Sequence, residues 1–205
     1  MNLVVTPDRD SYGKHDYTGA FRPEAEAFIA MHGGITVRID QGQASAGRFR
    51  QLLHAIEEHQ PEVLAYFGHG LRRSLPQLGA SLGNVASLAG ALALGSTAPL
   101  VVLYACSAAD GVAPGGEGGF CDGLRDALGN AEAVHCRVIG HSTAGHCCRN
   151  PYVREFKDGA GLGGSWLVAP GSKLWARWVG GLAGPLRFQY PFLTPAELEA
   201  KLTPV

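Results

Sequence analysis

Pro99-Leu-Val-Val-Leu-Tyr-Ala-Cys-Ser-Ala-Ala-Asp110 and, upstream of it, Glu62-Val-Leu-Ala-Tyr-Phe-Gly-His-Gly70 are the two stretches whose pattern sets the fold. Each is an apolar run rich in Val, Leu and Tyr that ends abruptly in a reactive side chain among small residues. That is the pattern of a buried parallel strand presenting chemistry at its carboxyl end. One run ends in His69 and the other in Cys106. On neighbouring strands, about 4.8 Å apart, an imidazole and a thiol at equivalent ends reach one substrate bond from two sides. A free thiol of pKa about 8.5 is only a few per cent thiolate at neutral pH, and an adjacent imidazole raises that fraction or protonates a leaving group. The backbone N–H groups of Gly70 and Cys106 are the matching candidates for an oxyanion hole, where loss of one donor typically costs about 2.7–4 kcal/mol. A cysteine alone is more often a small buried hydrophobe; it is the pairing with His69 that points to a nucleophile and its acid–base partner.

The totals narrow the field. A chain of 205 residues, 46% hydrophobic and 17% charged, suits one sizeable domain spanning 1–205 with a core of its own. A formal net charge of −1 carries no basic footprint for nucleic acid or an anionic membrane, so neither is expected as a partner. The five cysteines (106, 121, 136, 147 and 148) are odd in number and lack a framework spacing. With no signal-peptide pattern at the N-terminus and no long apolar run, they predict a reducing, cytoplasmic setting, signal-independent export being left open.

Outward from the two runs, strand and helix patterns alternate. Leu3–Thr6 reads as a first strand, followed by a polar loop through Arg22 and a helix opening at Pro23 and ending at His32 before Gly33-Gly34. Ile35–Ile39 is a β-branched strand, and Phe49, Leu52, Leu53 and Ile56 recur at helical spacing as far as His59. Leu71–Gly83 reads as a loop and Asn84–Leu94 as a helix. Gly111–Gly119, with five glycines, reads as a mobile loop beside Cys106. Further expected elements are a helix at Phe120–Leu128, strands at Arg137–Ser142 and Gly164–Val168, and a helix at Ser172–Val179. Thr194-Pro-Ala-Glu197 is a capping box opening a last helix to Leu202. The alternation predicts right-handed crossovers and an α/β fold, a mostly parallel central sheet covered on both faces.

His69-Gly70 and Ala105-Cys106 on successive strands, then Ser142-Thr-Ala144, Arg149-Asn150 and Gly164-Ser-Trp166, resemble the ordered landmarks of the caspase-like cysteine peptidases, which include the metacaspase and bacterial CHAT branches. The resemblance implies a three-layer α/β/α fold and an endopeptidase acting through a thioester, with His69 and Cys106 as the catalytic dyad and no cofactor or metal. It further implies a protein or peptide substrate, a groove lined by the Ser142 strand, and Arg149 facing the side chain before the cut and favouring a carboxylate there. Asp110 or Asp122, brought in by the glycine loop, would select Lys or Arg instead. Two departures stand out: Tyr104 replaces the Gln that caspases commonly have before Ala-Cys, and the His-to-Cys interval is shorter than the about 50 residues expected of them.

Three other readings compete with this one. Gly140-His-Ser142-Thr-Ala-Gly145 is similar to a nucleophile elbow, but a serine hydrolase needs its acid and then its histidine downstream, and the last histidine is His146. His135, Cys136, His141, His146, Cys147 and Cys148 lack the paired spacing of a zinc site. A catalytically idle binding or signalling module on the same fold is the third rival.

Overall fold

The structure, a computed structural model, describes residues 1–10, 18–111, 117–145, 150–157, 164–179, 186 and 188–202. The chain runs β1 (Asn2–Pro7), α1 (Thr18–His32), β2 (Ile35–Ile39), α2 (Ser45–His59) and β3 (Val63–Phe67), then a small hairpin of β4 (Ser74–Leu75) and β5 (Ala80–Ser81). It continues through α3 (Val85–Gly95), β6 (Leu100–Tyr104), α4 (Gly119–Asn130), β7 (Arg137–His141), β8 (Val153–Lys157), β9 (Ser165–Trp166), α5 (Lys173–Arg177) and α6 (Pro195–Leu202). The central sheet has seven strands in the order β2-β1-β3-β6-β7-β8-β9. The first five pair in parallel and the last two antiparallel.

Every residue of β3 and β6 is buried, which is why both read as unbroken apolar runs: each has a covered face on either side. Leu64, Tyr66, Val101 and Leu103 point to the face closed by α2, α3 and α4, against Leu52, Leu88 and Leu124. Ala65, Phe67, Val102 and Tyr104 point to the other face, closed by α1 and the C-terminal helices through Phe28, Trp178 and Leu198. The result is three layers, α/β/α. No helix among the described residues is long and apolar enough to cross a membrane.

Several boundaries differ from expectation. α1 opens at Thr18 rather than Pro23, which lies inside the helix. Pro23 there cannot donate to the Gly19 carbonyl and its ring crowds that carbonyl, a cost the helix absorbs in its second turn, and the added turn carries Phe21 against His69. Leu71–Gly83 contains the β4–β5 hairpin, and the expected strand at Gly164–Val168 shrinks to the two-residue edge strand β9. The expected helix at Ser172–Val179 is α5 continued by a π turn through Val179, and it is capped by the Ser172 hydroxyl, which accepts from the Trp175 N–H at 3.1 Å. β8 was not foreseen at all. Its sequence, Val-Arg-Glu-Phe-Lys, puts charges where a strand core should be apolar, yet Arg154 and Glu155 are buried there. Residues 11–17 of the early polar loop and 112–116 of the glycine loop lie outside the described residues.

Candidate active site

β3 and β6 are neighbours, with Phe67 opposite Tyr104 at the last paired position. Two residues further on each strand come His69 and Cys106, and both line one cleft of about 440 Å³ at the carboxyl edge of the sheet. Cys106 is partly exposed, whereas Cys121 and Cys136 are buried. Burial pushes the Cys121 thiol up, Arg154 opposing and Asp122 reinforcing the shift, so that thiol is held in its unreactive form.

Phe21 of α1 meets the His69 ring edge-on at 5.0 Å. The His69 Nε2 lies 3.0 Å from Oδ2 of Asp10, just beyond β1, and the Asp10 side chain is fully buried. A carboxylate only accepts, so in the neutral ring Nε2 carries the proton and Nδ1 is the basic nitrogen. The other Asp10 oxygen accepts from Gln77 Nε2 at 2.9 Å. The Gln77 Oε1 in turn accepts from the His69 backbone N–H at 2.8 Å, and the single Tyr66 hydroxyl proton is shared between the His69 carbonyl at 3.0 Å and the Gln77 Oε1 at 3.2 Å. Burial first, and the Asp10 charge second, hold the Tyr66 phenol well above its usual range, so it stays a neutral donor. His69 is thus fixed through both its ring and its backbone.

The turn that carries the thiol is held as firmly. Ser107 adopts the left-handed region, φ 53°, directly after Cys106. The Ser107 N–H donates to the Thr143 carbonyl at 3.3 Å, Ala109 N–H to His141 at 2.9 Å, and Cys121 N–H to Ala108 at 2.9 Å. Arg154, the buried cation of β8, donates to the Ala109 carbonyl at 3.0 Å, with its guanidinium 5.0 Å from the Phe156 ring and 5.5 Å from that of Trp166. The site therefore drew on a strand that the sequence pattern concealed.

The remaining expected residues are dispersed. Gly70 packs against this turn: a Cβ there would overlap the Cys106 carbonyl oxygen and meet the Ala105 Cβ at 2.8 Å, so only glycine fits. Among the described residues, neither the Gly70 nor the Cys106 N–H meets an acceptor. Ser142 is buried just past β7; its N–H and hydroxyl donate to the Tyr152 carbonyl at 2.9 and 3.3 Å, and it does not line the cleft. Asp110 ends the Cys106 turn, its N–H donating to Ser107 at 3.0 Å, and is likewise off the cleft wall. Asp122 caps α4, accepting from the Gly118 N–H at 2.9 Å and from Arg125 at 2.6 Å. Arg149, His146, Cys147 and Cys148 lie outside the described residues. Among the described residues no three His, Cys, Asp or Glu side chains cluster as metal ligands would.

Asp10, Gln77 and His141 were missed as site residues. Asp10 is 59 residues from His69 in sequence, and its only signal was a carboxylate three residues past a strand. Once β1 is known to lie beside β3, that position falls on the same sheet edge as His69. His141, at the end of β7, joins the cleft wall by the same logic. No protein-family model matches the chain, and no curated protein matches it significantly.

Proposed function

We propose that the protein is a cysteine endopeptidase in which Cys106 is the nucleophile, His69 the acid–base partner and Asp10 the residue that orients His69. The observation that carries this is the cleft itself: a partly exposed thiol and an imidazole anchored at Nε2 by a buried carboxylate line it together, on the ends of adjacent parallel strands. The His69 Nδ1 takes the thiol proton, and the sulfur attacks the scissile carbonyl carbon to give a tetrahedral oxyanion. The Cys106 N–H, with that of Gly70 behind it, stabilises this oxygen. Collapse breaks the C–N bond, the departing amine takes the proton from His69, and a thioester remains. Water then attacks the thioester, giving its proton to His69, and release of the acid restores the thiol.

A peptide substrate is supported by a second hollow of about 320 Å³ that shares Gly145 with the first and runs along Thr143, Asn150 and Tyr152. An extended chain seated in the first hollow has room to continue into the second. The three-layer fold agrees with the resemblance to caspase-like peptidases. The serine alternative is disfavoured because the Ser142 hydroxyl is buried and committed to a carbonyl. Cleavage of an unstructured protein substrate by wild type, lost in Cys106→Ala and His69→Ala with melting temperature retained, is the expected result. Wild-type rates in Cys106→Ala would refute the assignment, and no cleavage by any form would favour a binding module.

A further inference from the structure

We propose that the cleft beside Cys106 selects a large uncharged, preferably aromatic, side chain on the residue that donates the scissile carbonyl. This rests on the peptidase reading. Around the two reactive groups the walls are rings and small apolar side chains. Phe67 and Tyr104 stack at 4.4 Å with an 11° interplanar angle, Phe21 of α1 lines the cleft beside the His69 ring, and Ala20 and Ala105 complete the wall. The stacked pair is almost fully buried, so it forms a rigid floor rather than an adaptable one. A ring laid in this space meets aromatic edges and faces on several sides, the arrangement aromatic pairs favour.

Charged side chains fare worse. Among the described residues the cleft wall holds neither Lys nor Arg, and His141 on the wall is almost fully buried and already engaged, so a bound carboxylate would be stripped of water without a fork to receive it. It would also face the carboxylates of Glu24, on the wall, and Asp10, behind His69. Glu24 could attract a Lys or Arg, but Glu24 already takes part in an interaction of its own. A cation would have to compete for it while losing hydration against the rings. The expectation of acidic selectivity came from Arg149, which is outside the described residues.

The test uses four peptidyl acyloxymethyl ketones of common sequence that differ only in the residue next to the warhead: Phe, Leu, Asp or Lys. Iodoacetamide serves as a thiol probe too small to read the cleft, and labelling of Cys106 is followed by peptide mass mapping. The Phe and Leu reagents are expected to inactivate roughly 10-fold or more faster than the Asp and Lys reagents, Phe fastest. Ala20→Trp, which narrows the cleft from α1, is expected to slow the Phe reagent at least about 10-fold more than it slows iodoacetamide. Fastest labelling by the Asp or Lys reagent, or equal rates for all four, overturns this inference and leaves the peptidase reading standing. Iodoacetamide labelling of Cys106 that is no faster than in His69→Ala overturns the peptidase reading, and this inference with it.

Discussion

In the proposed mechanism His69 takes a proton from the thiol and returns it to an amine at Nδ1, which requires the ring to be held at Nε2, and Asp10 supplies that hold. Its carboxylate sits 3.0 Å from Nε2, is fully buried, and is itself fixed by Gln77. Replacing Asp10 by Asn keeps the shape but presents an amide that can turn its N–H toward Nε2 and stabilise the wrong tautomer. Asp10→Asn is therefore expected to lower kcat roughly 10²–10⁴-fold, the range that general acid–base catalysis contributes, with little change in KM. A kcat within a factor of about two of wild type would remove Asp10 from the catalytic account. His69 and Cys106 were legible because each closes an apolar run. Asp10 was not, because its meaning depends on which strand lies beside which, and strand order is absent from local pattern.

Among the elements, β8 shows why an alternation rule fails where a strand buries charge. Its buried Arg154 ties the Ala109 carbonyl, and its buried Glu155 pairs with Arg137 at 2.6 Å and Lys157 at 3.6 Å, so charges replace the apolar residues that the periodicity rule looks for. Burial lowers the Arg154 pKa, with Asp122 the strongest opposing influence. Arg154→Met leaves the Ala109 carbonyl without this donor, so a loss of about 1–3 kcal/mol in urea unfolding is expected, accompanied by slower labelling of Cys106. Unchanged stability would mean that the turn is held without β8. The capping box behaved as written in the sequence: the Thr194 N–H donates to Glu197 at 2.8 Å, and the Glu197 N–H donates to the Thr194 hydroxyl at 3.3 Å. Those bonds from Thr194 lower the Glu197 pKa below its ordinary 4.5. A depressed folded pKa stabilises α6 fully above about 4.5 and loses that contribution as pH falls through the lower folded value. Hydrogen exchange in α6, normalised for the intrinsic pH dependence of exchange, should show protection falling at acid pH in wild type and not in Glu197→Gln; equal profiles would contradict the assignment.

At the scale of the molecule, the sheet turns distant pieces of sequence into one edge: β1 brings Asp10, β3 His69, β6 Cys106 and β7 His141 to the carboxyl end of parallel strands. The layer that covers this edge rests on an aromatic cluster in which Phe28 contacts Phe67, Tyr104 and Phe188 at ring separations near 6 Å. Phe28→Ala should cost about 3–5 kcal/mol of stability in denaturant unfolding; a loss under about 1 kcal/mol would mean that α1 is not anchored there. The alternation of strands and helices was readable because buried parallel strands and amphipathic helices have different periods. The start of α1 was not, because Pro23, a residue that usually opens a helix, lies inside this one, and the added turn meets His69 through Phe21, a contact that local pattern does not reveal. The most direct measurement of the central claim is the rate and site of thiol alkylation by iodoacetamide, read by peptide mass mapping at neutral pH in wild type, His69→Ala and Asp10→Asn. The account predicts that Cys106 is modified well before the other four cysteines, and that His69→Ala slows it by about 10-fold or more, with Asp10→Asn between the two. Modification of another cysteine first, or a Cys106 rate indifferent to His69, would contradict it.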